Sequence, residues 1–235
     1  CYGLHVQSRL PLGTIETRPG TLNASTDELR LEIFGCSGHA AYPENSVDAI
    51  VIAAQVITAL QTLVSRNVSP LNYAVLSFGA IEGGTANNII CDHVTLKGTL
   101  RTADPELRSF SLKRIADIAQ GIASGMGGSA KLTIVDGYAP LVNHTDKAEM
   151  VLALARELYG AENVILKDSP SMGGEDFSYF IENTPGCFYH IGCTPADKLP
   201  APSLHHRDFV PDEECIRQGM EMQLAIILRE TGTEA

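Results

Sequence analysis

Three short stretches of this sequence carry side chains that could do chemistry. Residues 35–43, GCSGHAAYP, place a lone histidine, His39, on a glycine-flanked turn that closes at a proline. Residues 172–177, MGGEDF, follow two glycines with an acidic pair, so the backbone could approach a ligand closely or the acids could cap a helix. Residues 204–207, LHHR, hold two adjacent histidines in a loop. A loop tip, a capped turn and a solvated loop are the ordinary alternatives, and local spacing does not choose between them.

The remaining candidates are weaker when taken singly. His5 lies in an apolar strand-like run, where a lone histidine is more often a hydrogen-bonded core residue than a ligand. Asn87 and Asn88 follow two glycines in a loop that could be a simple turn, and Arg101 lies on the polar face of a strand. No two histidines have the spacing that puts both on one helical face, so a metal site would have to be assembled from separate parts of the chain. The sequence has no GxSxG elbow and no partnered cysteine nucleophile.

Composition narrows the classes of protein. The 235 residues carry a formal net charge of −11, which argues against a nucleic-acid-binding surface. No run of eighteen apolar residues is present, so a membrane-spanning helix and a membrane partner are not expected. Six cysteines without a paired spacing predict reduced, mostly buried thiols and a cytoplasmic location. The chain opens inside a strand-like run without a methionine, so we expect it to be part of a longer protein.

Hydrophobic periodicity predicts two blocks of α/β structure. Residues 22–138 read as a ferredoxin-like βαββαβ unit. Its predicted elements are residues 28–34, 47–64, 71–80, 94–102, 105–126 and 132–135. Asn45 or Ser46 is expected to cap the first helix, and Asp104 the second. The first helix should bury Val47, Ile50, Val51, Ala54, Ile57 and Leu60. Residues 11–20 read as turns, and residues 139–235 as alternating helices and strands with a last helix from Pro211.

Seven short motifs, which include most of these candidate residues, occur in a fixed order along the sequence. They are GLHV, LPLGTI, GxxGHAAxP, ANNII, GTLRT, MGGEDF and LHxxxF. In this order the sequence resembles the aminoacylase/carboxypeptidase-type metallohydrolases. It is most similar to the amidohydrolase branch, which includes hippurate hydrolase, N-acyl-amino-acid amidohydrolases and indole-acetyl-amino-acid hydrolases. The resemblance covers nearly the whole chain.

The resemblance implies a fold and a metal site. Residues 1–21 and 139–235 would belong to a mixed-sheet α/β catalytic domain that holds two divalent metal ions, zinc or manganese. Residues 22–138 would form a ferredoxin-like lid that makes a homodimer. His5 and His205 correspond to metal ligands of the family, although His206 and Arg207 stand where the family usually has Ser or Asn and then Pro. The register after Leu204 favours His205 over His206. The family's N-terminal motifs, a Cys-Gly-His motif and a Glu-Glu pair, have no counterpart in this chain, whose own Glu213-Glu214 belongs to the last predicted helix, so this chain alone would hold metal partially or not at all.

The resemblance also implies an activity, the hydrolysis of the amide bond of N-acyl amino acids. His39 would bind the developing oxyanion, in its own subunit's site or in the partner's, and Glu175 would line the same cleft as the second catalytic candidate. The substrate-holding candidates are Asn87, Asn88, Arg101, Gly173 and Gly174. The alternatives are a dipeptidase or another deacylase of the same superfamily, and a catalytically inert dimerisation or binding fragment.

Overall fold

The computed structural model describes residues 1–232, which divide into two compact units. Unit 1 consists of Cys1–Leu22, Leu141–Ser171 and the residues from Asp176 onward, and unit 2 of Asn23–Pro140 and Met172–Glu175. The strands are Tyr2–Pro11 (β1), Ile15–Thr17 (β2), Gly20–Asn23 (β3), Thr26–Phe34 (β4), Gly38–His39 (β5), Ala74–Gly83 (β6), Ile89–Ile90 (β7), His93–Thr102 (β8), Ser129–Tyr138 (β9), Leu141–Asn143 (β10), Val164–Leu166 (β11) and Cys187–Thr194 (β12). The α-helices are Ala49–Thr62 (α1), Pro105–Gly125 (α2), Thr145–Tyr159 (α3), Ser178–Ile181 (α4) and Glu214–Thr231 (α5).

Unit 2 has the predicted ferredoxin-like fold. Its four-stranded antiparallel sheet has the order β6-β8-β4-β9, and α1 and α2 cover one face. The alternation along β4 and β8 places the predicted apolar residues in the core, where all six are buried: Leu29, Leu31, Ile33, Val94, Leu96 and Leu100. Asp104 caps α2 as expected, because its carboxylate accepts the Leu107 N–H at 2.7 Å.

The prediction for α1 was wrong in its cap and in its buried face. Asp48 is the N-cap and accepts N–H bonds from Ile50 and Val51, while Pro43–Asn45 form a separate 3-10 turn. The buried residues are Ala49, Ile52, Ala53, Val56 and Leu60, which share only Leu60 with the predicted stripe. α1 is apolar on both faces, so a period of 3.6 residues does not single out one of them.

By length and composition alone, the helical stretch that begins with α1 and continues to Asn67 is sufficient for a membrane span. Within the described residues this stretch is Ala49–Asn67, with a mean hydropathy of 1.5. Polar residues interrupt this stretch, so it does not contain eighteen consecutive apolar residues. The buried face of α1 forms part of the unit 2 core.

Unit 1 is a mixed-sheet α/β unit, as predicted. Its sheet has the order β1-β12-β2-β11, with β1 parallel to β12, β2 antiparallel to β12, and β11 parallel to β2. α3 and α5 supply the apolar residues that pack on one face of this sheet. The stretch 11–20, expected to be turns, contains the fully buried β2, which is too short for a period-two pattern to be seen. The last helix begins at Glu214 and not at Pro211, because Asp212 precedes it and accepts the Glu214 N–H.

Candidate active site

The turn that carries His39 is built by close approach of two chain segments in unit 2. A Cβ atom on Gly35 would lie 2.2 Å from the Val47 carbonyl oxygen, and one on Gly38 would lie 2.8 Å from Cβ of Ser46. Either side chain would therefore push the turn away from the start of α1. The short strands β5 and β7 pair beside this turn, with His39 opposite Ile89.

A backbone contact fixes the tautomer of His39. The Ala41 N–H lies 3.0 Å from Nδ1 of His39, and since a backbone N–H only donates, Nδ1 accepts. The neutral imidazole then carries its proton on Nε2. The ring also packs against Tyr42 at 5.7 Å between centroids, while the residue remains exposed. His39, an exposed residue, thus offers an N–H donor at Nε2.

The loop that contains Asn87 and Asn88 lies beside His39 at the same end of unit 2. The Ala40 N–H donates to the Asn88 carbonyl oxygen at 3.1 Å, and Asn87 and Asn88 are both exposed. The structure therefore brings together two of the motifs singled out in the sequence, GCSGHAAYP and the residues before Ile89.

Arg101 lies at the opposite end of the same sheet. At the His39 end Phe34 pairs with His93, and at the other end Asp27 pairs with Leu100, next to Arg101. At about 3.4 Å per residue, the run of β8 from His93 to Leu100 places Arg101 roughly 20 Å or more from the His39 turn. Within one copy of unit 2, His39 and Arg101 cannot bind the same small molecule.

The glycine-rich loop from Met172 to Glu175 packs on unit 2 at the Arg101 end. Arg101 Nη1 donates to the Met172 carbonyl oxygen at 2.9 Å, and Asn23 Nδ2 donates to the Gly173 carbonyl oxygen at 3.2 Å. A Cβ on Gly174 would lie 2.3 Å from Cγ2 of Thr26, whereas one on Gly173 would meet nothing within 4 Å. Glu175 is half-buried.

The alternative in which the acids of this motif cap a helix is not what the structure shows. α4 begins after Phe177, and no side chain caps it. Asp176 contributes its backbone carbonyl oxygen, which accepts the Tyr179 N–H at 3.0 Å. Gly174 therefore serves the close approach to Thr26, a partner that nothing in the sequence indicated, whereas Gly173 has open space where a side chain would lie.

His5 lies on β1 in unit 1 and is exposed, so it is not the buried core histidine that its apolar surroundings in the sequence favoured. Its Nδ1 lies 2.7 Å from the Val6 carbonyl oxygen, which can only accept, so Nδ1 donates. The neutral ring then has its lone pair on Nε2. A backbone carbonyl that orients one ring nitrogen while the other binds a metal is a common arrangement at metal sites.

The two histidines of the LHHR loop in unit 1 differ in conformation and in hydrogen bonding. His205 has a φ of +67°, a left-handed conformation that is uncommon for a side-chain-bearing residue and recurs at functional sites. Nδ1 of His206 accepts the Asp208 N–H at 3.2 Å, so its neutral ring holds the proton on Nε2. The lone pair of His206 is therefore engaged within its own loop.

The structure does not assemble a complete metal site from this chain. Among the described residues, no group of three or more His, Cys, Asp or Glu side chains is positioned to hold a metal ion.

Unit 1 also contains a buried charge cluster that the sequence did not reveal. Oε1 of Glu16 lies 2.5 Å from Arg9 Nη2, 3.1 Å from His190 Nδ1 and 3.8 Å from Lys167 Nζ. Burial raises the pKa of Glu16, but hydrogen bonds from His190 and Arg9 and the nearby positive charges outweigh it and lower the pKa to about 2. Glu16 stands between Ile15 and Thr17 without any recognisable motif, so only the pairing of β2 with β12 identifies its partners.

Known proteins resemble both the sequence and the structure. Residues 25–126 match the family described as a peptidase dimerisation domain. N-acetyldiaminopimelate deacetylase of Streptococcus sanguinis strain SK36 is 38% identical over 222 residues, 94% of this chain and 57% of that protein. The YXEP protein of Bacillus subtilis, described as a dinuclear metal-binding peptidase from the M20 family, is 30% identical with a TM-score of 0.78, covering 98% of this chain and 57% of that one.

A solved structure from methicillin-resistant Staphylococcus aureus superposes with a TM-score of 0.90 at 28% identity, covering 97% of this chain and 58% of that one. The chain spans less than two thirds of the length of each of these proteins. Over the part that it spans, the similarity to these proteins in sequence and in fold extends along nearly all of the 235 residues. This chain belongs to the M20 peptidase family, whose aminoacylase/carboxypeptidase-type members include amidohydrolases and deacetylases.

Proposed function

We propose that the protein containing this chain hydrolyses the amide bond of N-acyl amino acids. The observation that carries the proposal is the tautomer of His39, because an exposed Nε2–H donor is what an amide hydrolase needs at the developing oxyanion. The match to N-acetyldiaminopimelate deacetylases over more than nine tenths of the chain supports the same class of reaction.

We propose that His5 and His205 are metal ligands. Nε2 of His5 is free to coordinate because Nδ1 donates to the Val6 carbonyl oxygen. His205 is preferred over His206, whose lone pair accepts the Asp208 N–H. A pair of zinc or manganese ions would polarise the scissile carbonyl and acidify the attacking water. The other ligands and the general base would come from residues outside this chain.

His39 would donate its Nε2–H to the oxyanion, a contribution of about 2.7–4 kcal/mol to the transition state. Arg101 would bind the free carboxylate of the substrate. One of its five N–H groups is used by the Met172 carbonyl oxygen, which leaves the bidentate edge of the guanidinium for a ligand. Asn87, Asn88, Gly173 and Gly174 remain substrate-contact candidates and Glu175 a catalytic one.

We propose that two copies pair through unit 2 and that His39 acts in the partner's active site. The match of residues 25–126 to a dimerisation domain supports pairing. Unit 2 also exposes apolar side chains on α1 and on the edge strand β6, where Ile50, Val51 and Ile81 are each about half exposed. The separation of His39 from Arg101 along the sheet supports a shared site, because two subunits can bring both residues to one substrate.

A cytoplasmic location fits the cysteines. The six thiols are free, and Cys91, Cys187, Cys193 and Cys215 are buried. Buried unpaired thiols are usual in a reducing compartment.

A dipeptidase is the second candidate function, favoured by the resemblance to a protein described as a metal-binding peptidase. The test expresses the protein from its complete coding sequence and measures hydrolysis of N-acetyl amino acids and of dipeptides, before and after removal of metal by a chelator. We expect metal-dependent hydrolysis of N-acetyl amino acids at the higher kcat/KM. Faster cleavage of dipeptides would favour the peptidase, and activity that survives chelation would contradict both.

The same assay on the 235 residues alone tests the alternative of an inert dimerisation module. We expect weak metal binding and no hydrolysis, because His5 and His205 cannot hold a metal pair by themselves. Hydrolysis by these 235 residues would contradict the proposed division of the metal site. Absence of hydrolysis by the protein from the complete coding sequence would favour the inert module.

A further inference from the structure

The face of the unit 1 sheet that points away from α3 and α5 carries a row of polar side chains. His190 on β12 pairs in register with Glu16 of β2 on one side and with His5 of β1 on the other. Residues in register on neighbouring strands point to the same face of a sheet, and their strands lie about 4.8 Å apart. His5, His190 and Glu16 therefore stand side by side, in that order, on one face.

A hydrogen bond to Glu16 sets the tautomer of His190. Nδ1 of His190 lies 3.1 Å from Oε1 of Glu16, a carboxylate that is ionised above its pKa of about 2 and can then only accept. Nδ1 therefore donates, and the neutral ring has its lone pair on Nε2. Arg9 and Lys167 also lie against this carboxylate, so its charge is balanced without a proton on both nitrogens of His190.

The second ring nitrogen of His190 is free to bind a ligand. Nε2 has no hydrogen-bond or ion-pair partner in the described part of the chain. Among the described residues, the fully buried polar atoms that lack a partner belong to four other side chains, so Nε2 borders open space although His190 as a whole is buried. His5, on the neighbouring strand, is exposed and has the same tautomer, since its Nδ1 donates to the Val6 carbonyl oxygen.

The two imidazoles fit a metal ion in the chemistry of their donor atoms. Zn²⁺ binds imidazole nitrogen, and a histidine ligand commonly donates its other N–H to a carboxylate or to a backbone carbonyl. His190 makes the first arrangement with Glu16, and His5 makes the second with Val6. Glu16 contacts the ring at Nδ1, so it orients His190 and is not itself a ligand. No third side chain of the described residues completes the pair.

We propose that His190 is a metal ligand beside His5 and that Glu16 positions its ring. The assignment rests on the proposed function, and it draws from β12 one ligand that would otherwise come from outside this chain. A second imidazole also favours zinc for this ion, because imidazole nitrogen suits Zn²⁺ whereas Mn²⁺ prefers carboxylate and carbonyl oxygen.

The test uses the protein from the complete coding sequence, loaded with Co²⁺ in place of Zn²⁺, and its proton NMR spectrum. An imidazole that binds Co²⁺ through Nε2 keeps an exchangeable Nδ1–H, whose resonance the paramagnetic ion shifts strongly. His190→Asn removes Nε2 but keeps an amide that can donate to Glu16. We expect one shifted resonance fewer and a Zn²⁺ affinity at least about 100-fold lower, measured by competition with a chelator, because losing an orienting partner alone already costs about 10–100-fold.

Glu16→Gln separates orientation from ligation. It should lower the Zn²⁺ affinity by about tenfold or more and leave the number of shifted resonances unchanged. Should His190→Asn fail to fold, an unchanged Zn²⁺ affinity in Glu16→Gln would still overturn the proposal. Thermal unfolding of each variant verifies that it is folded.

His144→Asn is the matched control, because His144 is a half-buried histidine of unit 1 whose Nδ1 accepts the Gly186 N–H at 3.2 Å. It should keep every shifted resonance and the wild-type affinity. The same result for a folded His190→Asn would overturn the proposal and leave the proposed function standing. No binding of either metal by the wild-type protein would overturn both, and failure of hydrolysis by a protein that binds metal would bear on the proposed function alone.

Discussion

The two ends of the unit 2 sheet carry different chemistry on one fold. At one end His39 stands exposed on a hairpin-like turn, with its tautomer fixed by the Ala41 N–H. At the other end Arg101 and Glu28 face a groove, and Arg101 holds the loop of Met172 through its carbonyl oxygen. The first end presents the exposed imidazole of His39, and the second presents a guanidinium that one backbone carbonyl oxygen engages.

If His39 and Arg101 serve one reaction, as proposed, they lie too far apart to act together in one copy of unit 2. The chain enters unit 2 at Asn23 and leaves it at Pro140, and both lie at the Arg101 end, where Thr26 pairs with Tyr138. His39 is at the end away from these connections. In the proposed dimer, each subunit could bring its His39 end to the Arg101 end of the other subunit.

The largest expected effect is on the His39 end. His39→Ala in the protein from the complete coding sequence should lower kcat for amide hydrolysis by about 100-fold or more, because the oxyanion loses its donor. Metal content, measured by inductively coupled plasma mass spectrometry, should stay unchanged.

His93→Ala is the control for that variant, because His93 is a second exposed histidine at the same end of the sheet, stacked on Phe34. It should leave kcat near the wild-type value. Turnover by His39→Ala at the wild-type rate would contradict the proposal that His39 binds the oxyanion. The proposed functional difference between the two ends of the sheet would then be wrong as well.

Mixed dimers give the next largest effect and test the comparison directly. When His39→Ala and Arg101→Ala subunits are co-expressed, a mixed dimer contains one site with both residues intact only if His39 acts in the partner's site. Random pairing should then restore roughly a quarter of wild-type activity, since half the dimers are mixed and each has one working site. Activity no higher than that of either variant alone would contradict a site shared between His39 of one subunit and Arg101 of the other.

Much of unit 2 could be predicted from sequence because its signals are local. Leu29, Leu31 and Ile33 alternate with polar residues, which predicts β4. Asp104 followed by Pro105 predicts the start of α2. The buried face of α1 could not be predicted in this way, because both of its faces are apolar and no 3.6-residue period distinguishes them. β2 is three residues long and fully buried, so no alternation marks it.

The candidate site was less predictable because its geometry depends on distant contacts. Motif order identified His5, His39, Arg101 and the glycine-rich loop as residues of interest. It could not show that His39 and Arg101 lie at opposite ends of one sheet, which follows from the antiparallel register of β4 and β8.

A smaller effect is expected at the Arg101 end. Gly174→Ala should destabilise the chain by about 1–3 kcal/mol, because the new methyl group must displace the loop from Thr26. Gly173→Ala is the matched control, since a Cβ there meets no atom within 4 Å. Urea unfolding followed by circular dichroism measures both, and equal stability of the two variants would mean that the loop does not rest on Thr26.

The smallest expected effect is a local loss of stability at the His39 end of the sheet that leaves the Arg101 end unchanged. Asp48→Ala should cost about 1 kcal/mol, because two N–H groups of α1 lose their acceptor. The first turn of α1 adjoins the His39 turn, since Cys36 and Val47 exchange two backbone hydrogen bonds of 2.9 Å. Amide hydrogen exchange should therefore accelerate at residues 36–51 and stay unchanged in β8 next to Arg101. Asn45→Ala, at the position first expected to cap the helix, should alter neither, and acceleration at both ends in Asp48→Ala would show that they do not open independently.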